Sequence, residues 1–416
     1  MQSAPSLADL FRVFGRIGLL SFGGPAAQIS LMHRELVEDQ GWLEEKEFLG
    51  ALSFCMLLPG PEAMQLATFT GWKLRGTLGG LIGGGLFVLP GALVIALLAA
   101  LYLAYGDLPL VSAGFVGVQA AVVAIILQAL VRLSGKVVTS ALAWVICALA
   151  FAVLFTGLLP FPVVILCAGL IGALQGAPPA PAPAIAPPPQ RTAGTMRTAA
   201  IWLAIWAAPV LLLWLANADF LLSLAVFFSK LAVVTFGGAY AVLAYMVQAV
   251  VADHGWLTTA QMMDALGLAE TTPGPLILVT QFTGHLAGYQ QGGAGMAVLA
   301  GLITLWCTFV PCFLWIFVGA PYVDRLLAQP RLTGALQIIS AAVLGVIANL
   351  SLWFTLHLLF DDLITTNFGL WPRLETFQSL PAILVLVASG LLIGLRLPLL
   401  GTLAATTVLA TLGALL

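Results

Sequence analysis

Arg16 and Lys230 each lie five residues before a hydroxyl residue, Ser21 and Thr235, in otherwise apolar runs. A cation in such a run needs a partner or water. An anion is one partner; the other course is for the side chain to reach out to a polar surface. Ser21 opens Ser21-Phe22-Gly23-Gly24-Pro25, and Thr235 opens Thr235-Phe236-Gly237-Gly238. Further on, Pro59-Gly60-Pro61 and Pro273-Gly274-Pro275 interrupt two more apolar stretches. A helix that restarts after such a break presents bare N–H groups and a partial positive charge, which suit an anion without any side chain. Glycine lets the backbone approach a ligand closely, and Pro25, Pro61 and Pro275 fit a first helical turn, where a missing N–H costs nothing. Simple helix kinking is the competing use. Ser21 and Thr235 can donate to an oxyanion or merely pack helices. Gln65, Thr68, Thr280 and Gln281 add hydrogen-bonding capacity. Glu62 and Glu270 flank the two Pro-Gly-Pro breaks, and a carboxyl in a dry site can carry a proton at physiological pH; capping a helix is the plainer role.

Metal chemistry finds little support. His33, His254, His285 and His357 have no ligand spacing and are expected near membrane surfaces. Cys55, Cys147, Cys167, Cys307 and Cys312 form no CxxC pair and read as small apolar packers. Neither a cofactor nor a metal is called for, and no nucleophile–base pair supports an enzyme.

The elements that must position these residues follow from composition. Of 416 residues, 61% are hydrophobic and 8% charged, against about 25% charged in soluble domains. Apolar stretches recur at about 20 residues, the length that crosses a bilayer, so lipid is the solvent for most of the surface. The net charge of −2 comes with no basic cluster suited to nucleic acid. The segment Met1–Leu10 does not read as a secretory signal.

The chain divides at a Pro/Ala-rich linker, 176–197, which cannot continue a helix. The flanking halves, 1–175 and 217–416, resemble each other. Ser21-Phe-Gly-Gly24, Gly41-Trp-Leu43 and Pro59-Gly-Pro61 recur at one offset, 214 residues, as Thr235-Phe-Gly-Gly238, Gly255-Trp-Leu257 and Pro273-Gly-Pro275. Pro90 and Pro109 recur as Pro311 and Pro330 at offset 221. Such ordered matches mark an internal duplication. Each half begins with short helices either side of its breaks, too short to span a core of about 30 Å. They form re-entrant hairpins or pair end to end. Full spans are expected at 76–105, 111–132, 137–157, 159–175, 292–321, 332–356, 379–395 and 398–416. One unpaired span, 198–216, lies between the halves and turns the second upside down. With the hairpin arrangement thirteen Lys and Arg fall on the cytoplasmic side and two on the far side, as the positive-inside rule requires. The expected fold is therefore an all-α polytopic membrane protein, an inverted repeat with discontinuous helices, N-terminus inside and C-terminus outside. That organisation is typical of secondary transporters.

Phe14-Gly-Arg-Ile-Gly-Leu-Leu-Ser-Phe-Gly-Gly-Pro25, Gly41-Trp-Leu43 and Leu58-Pro-Gly-Pro-Glu-Ala-Met-Gln65 resemble the chromate ion transporter family in its long, two-domain form, over nearly the whole chain. In the second half Ala239 stands where Pro25 does, and Leu276 where Glu62 does. The resemblance implies export of chromate across the cytoplasmic membrane, driven by the proton gradient or by anion exchange, and chromate resistance, with sulfate as a close mimic. The residues themselves do not separate these two tetrahedral dianions, nor a coupled carrier from an anion channel. The expected partners are the oxyanion and the lipid bilayer, with a homodimer left open.

Overall fold

The computed structural model describes residues 5–176, 192–236, 239–366 and 369–415. The order of helices is α1 (Leu7–Leu20), α2 (Gly24–His33), α3 (Glu45–Leu57), α4 (Glu62–Tyr105), α5 (Pro109–Val137), α6 (Ala141–Phe155), α7 (Phe161–Gln175), α8 (Thr192–Leu215), α9 (Asp219–Val234), α10 (Ala239–Gln248), α11 (Thr259–Glu270), α12 (Val279–Gly319), α13 (Val323–Leu327) and α14 (Pro330–Leu359). A short antiparallel hairpin follows, β1 (Leu363–Thr366) with β2 (Gly369–Pro372), Leu363 opposite Pro372. Helices α15 (Ser379–Ser389) and α16 (Leu399–Leu415) close the chain. Among the described residues the fold is all-α apart from that hairpin, which the sequence reading did not anticipate.

The breaks fall where glycine and proline put them. Helix α1 starts on a capping box between Ser6 and Asp9 and ends at Ser21. Gly23, with φ +84°, is the N-cap of α2, and Pro25 sits in its first turn. Helix α3 starts at Glu45 and α11 at Thr259, which is the 214-residue offset of the motifs, and both carry capping boxes. After α2 and after α10 the helix widens into a π-type turn, Arg34–Asp39 and Ala249–Asp253.

Contacts divide the chain into two compact units, and each draws on both sides of the linker. The first comprises 1–97, 176–239 and 272–334. Its main feature is a pair of folded-back helices. Among the described residues, five helical stretches are long and apolar enough to cross a membrane, Glu62–Tyr105 and Leu276–Leu327 among them, but neither of these two is a straight rod. Helix α4 leaves helical geometry at Arg75 and Gly76, the latter at φ +62°, ψ −154°. Helix α12 does the same at Gly292 and Gly293, the latter at φ +69°, ψ −159°. That region is essentially reserved for glycine. Beyond the turn the arms run back against each other. A Cβ on Gly71 would lie 2.1 Å from the carbonyl oxygen of Gly79, and one on Gly83 would lie 2.4 Å from that of Ala67. In α12 a Cβ on Gly288 would lie 2.5 Å from the Met296 carbonyl oxygen. Glycine is what lets these backbones touch. Helices α8 and α9 pack on α12, with Trp202 stacked on Phe313, ring centroids 5.7 Å apart. Helix α8 starts at Thr192, so the helix reaches further back than the linker expected at 176–197; residues 177–191 lie outside the described segments.

The second unit comprises 98–175, 240–271 and 335–416. Here α5 packs against α11, α15 and α16 around Ala121, Ala124, Ile125, Ala388, Leu392 and Leu403. Helices α6 and α7 are shorter than the spans expected at 137–157 and 159–175. At 15 residues, α6 and α7 reach about 22 Å. Ser140 caps α6, its Oγ accepting the Ala143 N–H at 3.2 Å. Gly157, at φ +68°, ends it, and Pro160 precedes α7.

Candidate functional site

Residues of three breaks, from both sides of the linker, meet at one small cavity in the first unit. Its lining is Pro25 and Gln28 of α2, Gly60 and Pro61 of the first Pro-Gly-Pro, Glu62 and Ala63 of α4, and Pro275, Leu276 and Ile277 of the second Pro-Gly-Pro break. The cavity measures about 20 Å³, room for roughly one water. The fourth break contributes to its frame. The Gly60 N–H donates to the carbonyl oxygen of Thr235 at 2.9 Å, and the Gly274 N–H donates to that of Ser21 at 2.9 Å. These bonds are reciprocal: each Pro-Gly-Pro glycine reaches the end of the first helix of the opposite half. Both glycines hold positive φ, +126° at Gly60 and +87° at Gly274, which an L side chain rarely adopts. Gln28 tightens the crossing, its Nε2 donating to the Gly274 carbonyl at 2.7 Å and to the Ser21 carbonyl at 3.4 Å.

The residues at the two Pro-Gly-Pro breaks carry amides without intrahelical acceptors. In α4 the first bond of helical type is from the Gln65 N–H to the Pro61 carbonyl, so Glu62, Ala63 and Met64 have no intrahelical acceptor. On the other side the Leu278 N–H is the first to bond back, to Pro275, which leaves Leu276 and Ile277 in the same condition. Four of these five residues line the cavity. Two helix N-termini, one from each half, thus bring partial positive charge to one space. Glu62, the one ionisable residue of the lining, borders the same space. Gln65 is fully buried, its Nε2 donating to the Pro59 carbonyl at 2.7 Å, and its Oε1 finds no partner among the described residues.

Other expected site residues sit elsewhere. Arg16 does not line the cavity: its side chain is 60% exposed and its Nε lies 3.3 Å from the buried Glu35 carboxylate. The partner argued for this cation is therefore already present within the chain. Lys230 is exposed on α9. Ser21 and Thr235 are buried, yet their hydroxyls donate to the carbonyls of Ile17 and Leu231, both at 2.6 Å; they end helices rather than face a ligand. Gly23 and Gly24 shape the start of α2, both at positive φ, and Gly237 and Gly238 lie outside the described residues. Glu270 belongs to the second unit, where it accepts the Tyr240 hydroxyl at 2.7 Å. His285 is buried: its ring takes the space over Gly301 and meets the Ala297 carbonyl at 3.0 Å. Gln28 and Glu35 were missed because neither has a counterpart at the repeat offset, where Val242 and Ala249 stand.

No group of three or more His, Cys, Asp or Glu among the described residues is arranged to hold a metal. A multi-pass helical membrane protein whose interrupted helices bring their N-terminal residues to a shared cavity is built as a transporter of small solutes. Comparison with known proteins makes the class specific. The chromate transporter family model matches residues 8–173 and 222–414, and the chain belongs to that family. A chromate transport protein of Pseudomonas aeruginosa is 32% identical over 350 residues, 82% of this chain and 79% of that one. A probable chromate transport protein of Synechococcus elongatus is 32% identical over 399 residues, covering 94% of this chain and 96% of its own. A chromate transport protein of Cupriavidus metallidurans is 31% identical over 357 residues, 84% of this chain and 83% of that one. No solved structure matches the chain significantly.

Proposed function

We propose that this chain is a secondary transporter that exports chromate across the cytoplasmic membrane, coupled to the proton gradient or to anion exchange, and thereby confers chromate resistance. The observation that carries this reading is the convergence of unpaired helix N-termini from both halves on the cavity beside Gly60, Glu62, Pro275 and Leu276. A tetrahedral dianion there is held by backbone amides of Glu62, Ala63, Leu276 and Ile277, with the turns at Gly23, Gly24, Pro25, Pro61 and Gly274 setting their direction. Arg16 and Lys230 are left out of this cage, since neither lines the cavity.

Glu62 links the anion to the proton. A dianion beside an ionised carboxylate is repelled, and protonation of Glu62 removes the repulsion. Loading the anion and loading the proton are then one equilibrium; the loaded pair still carries one net negative charge, so the inside-negative membrane potential drives it outward, while an outside-acid pH gradient alone would drive it inward. A cavity with room for one water must widen to admit chromate, and the Pro-Gly-Pro hinges are where it widens. Access alternates by movement of one half against the other, the halves being inverted copies with the N-terminus inside and the C-terminus outside.

The test is uptake of labelled chromate into inverted vesicles, with and without a proton gradient and with sulfate as competitor. Gradient-stimulated uptake is expected, and Glu62→Gln should lower that stimulation on the order of tenfold. Failure of either anion to move above background in energised vesicles refutes the assignment. Sulfate moving while chromate does not would make the chain a sulfate carrier.

A further inference from the structure

A second polar site lies in the other unit. Asp264, on α11, is 4% exposed. Its Oδ2 accepts the Tyr102 hydroxyl at 2.8 Å and its Oδ1 accepts the Gln119 amide at 2.9 Å. The three side chains come from three helices, α4, α5 and α11. Among the described residues no Lys, Arg or His pairs with Asp264. The charged groups that act on this neighbourhood are Asp107, toward Tyr102, and Arg132, toward Tyr240; Glu270, six positions along α11, is bonded to Tyr240.

We infer that Asp264, with Tyr102 and Gln119, is a proton-binding site of the transport cycle, separate from the anion cavity. A carboxylate in a lipid-solvated helix bundle with only neutral donors is expensive, and a proton removes the charge. The geometry accommodates both states. Ionised, Asp264 accepts from Tyr102 and from Gln119. Protonated, its Oδ2–H donates to the Tyr102 oxygen, whose own hydroxyl hydrogen rotates away, while Gln119 still donates to Oδ1. No heavy atom has to move, so the site can load and unload. An asparagine would serve a purely structural role here; the carboxyl adds a proton that comes and goes.

The coupling part of this inference rests on the proposed proton-linked transport, so the test has an arm that does not. In the purified full-length protein, infrared difference spectra against pH should show a carboxylic C=O band that Asp264→Asn removes and Glu62→Gln leaves. Tyr102→Phe should shift the pH midpoint of that band by about one unit. A band unaffected by Asp264→Asn, or a midpoint unmoved in Tyr102→Phe, overturns the site. In proteoliposomes Asp264→Asn should cut chromate uptake driven by a pH gradient about tenfold. Chromate–chromate exchange should stay within about twofold, and Asp264→Glu should restore coupled uptake. Unchanged coupled uptake in Asp264→Asn, equal loss of both fluxes, or a sodium requirement in place of the pH gradient overturns the coupling role. If the wild-type protein moves no chromate in either assay, the transport reading fails while the infrared result still decides the proton site.

Discussion

At the scale of the residue, Gly60 combines a left-handed backbone with close neighbours. Its φ is +126°, and a Cβ there would lie 2.7 Å from Gln65 Nε2 and 2.9 Å from Cys312 Sγ. Gly60→Ala should therefore cost about 1–3 kcal/mol and abolish chromate binding, because the turn that exposes the Glu62 and Ala63 amides is displaced. Thermal unfolding and isotope-binding measurements on the purified variant check this, and wild-type binding would show that the turn is not needed. His33 gives a prediction of another kind. It is the last residue of α2, beside the polar connection to α3, its Nε2 2.6 Å from Glu45 and its Nδ1 3.2 Å from Glu38. The hydrogen bond to Glu45 foremost raises its pKa above the ordinary histidine value. A raised pKa means the folded state binds the proton more tightly. The stabilisation is then complete below the unfolded value, about 6.5, and fades as pH rises through the folded one. Because the pair is near the surface its worth is at most about 1 kcal/mol. The difference in melting temperature between wild type and His33→Asn should be largest in mild acid and vanish in alkali.

At the scale of the element, glycine does more than break helices. It lets the two arms of α4, and the two arms of α12, lie backbone to backbone. The positions of the breaks were legible, because Gly-Gly-Pro and Pro-Gly-Pro admit few conformations. The folding-back was legible only as a change from a short helix to a span near residue 76; which glycines touch which carbonyls depends on a packing that no local signal reports. The spans at α6 and α7 were read too long because apolar composition continues past the Ser, Gly and Pro residues that end the helices. Asp264 and Gln28 went unseen because the symmetry that singled out the breaks says nothing of a polar residue lacking its twin: Gly50 and Val242 stand at the matching positions. Gly83→Val tests the hairpin. It forces a side chain into the Ala67 carbonyl, where a Cβ would already lie 2.4 Å away, and should cost about 1–3 kcal/mol. Gly85→Val, at a site with nothing within 4 Å of its Cβ, is the control and should leave the melting temperature nearly unchanged.

At the scale of the whole molecule, the question is how the two halves are turned. The reciprocal bonds, Gly60 to Thr235 and Gly274 to Ser21, are what a two-fold relation between copies produces, since each copy gives what it receives. Such an axis lies either in the membrane plane, which inverts one copy, or along its normal, which does not. The distribution of Lys and Arg favours inversion, and the hairpin turns offer a direct test. Thr77 follows the turn of α4 at Gly76, and Gln291 precedes the turn of α12 at Gly292; both are exposed. In a background with Cys55, Cys147, Cys167, Cys307 and Cys312 replaced, Thr77→Cys should react with a membrane-impermeant maleimide only from the cytoplasmic face, and Gln291→Cys only from the outer face. The comparison of intact cells with inverted vesicles reads this directly. Labelling of both from the same face would put the axis along the membrane normal, and the two N-termini at the cavity would then belong to parallel copies.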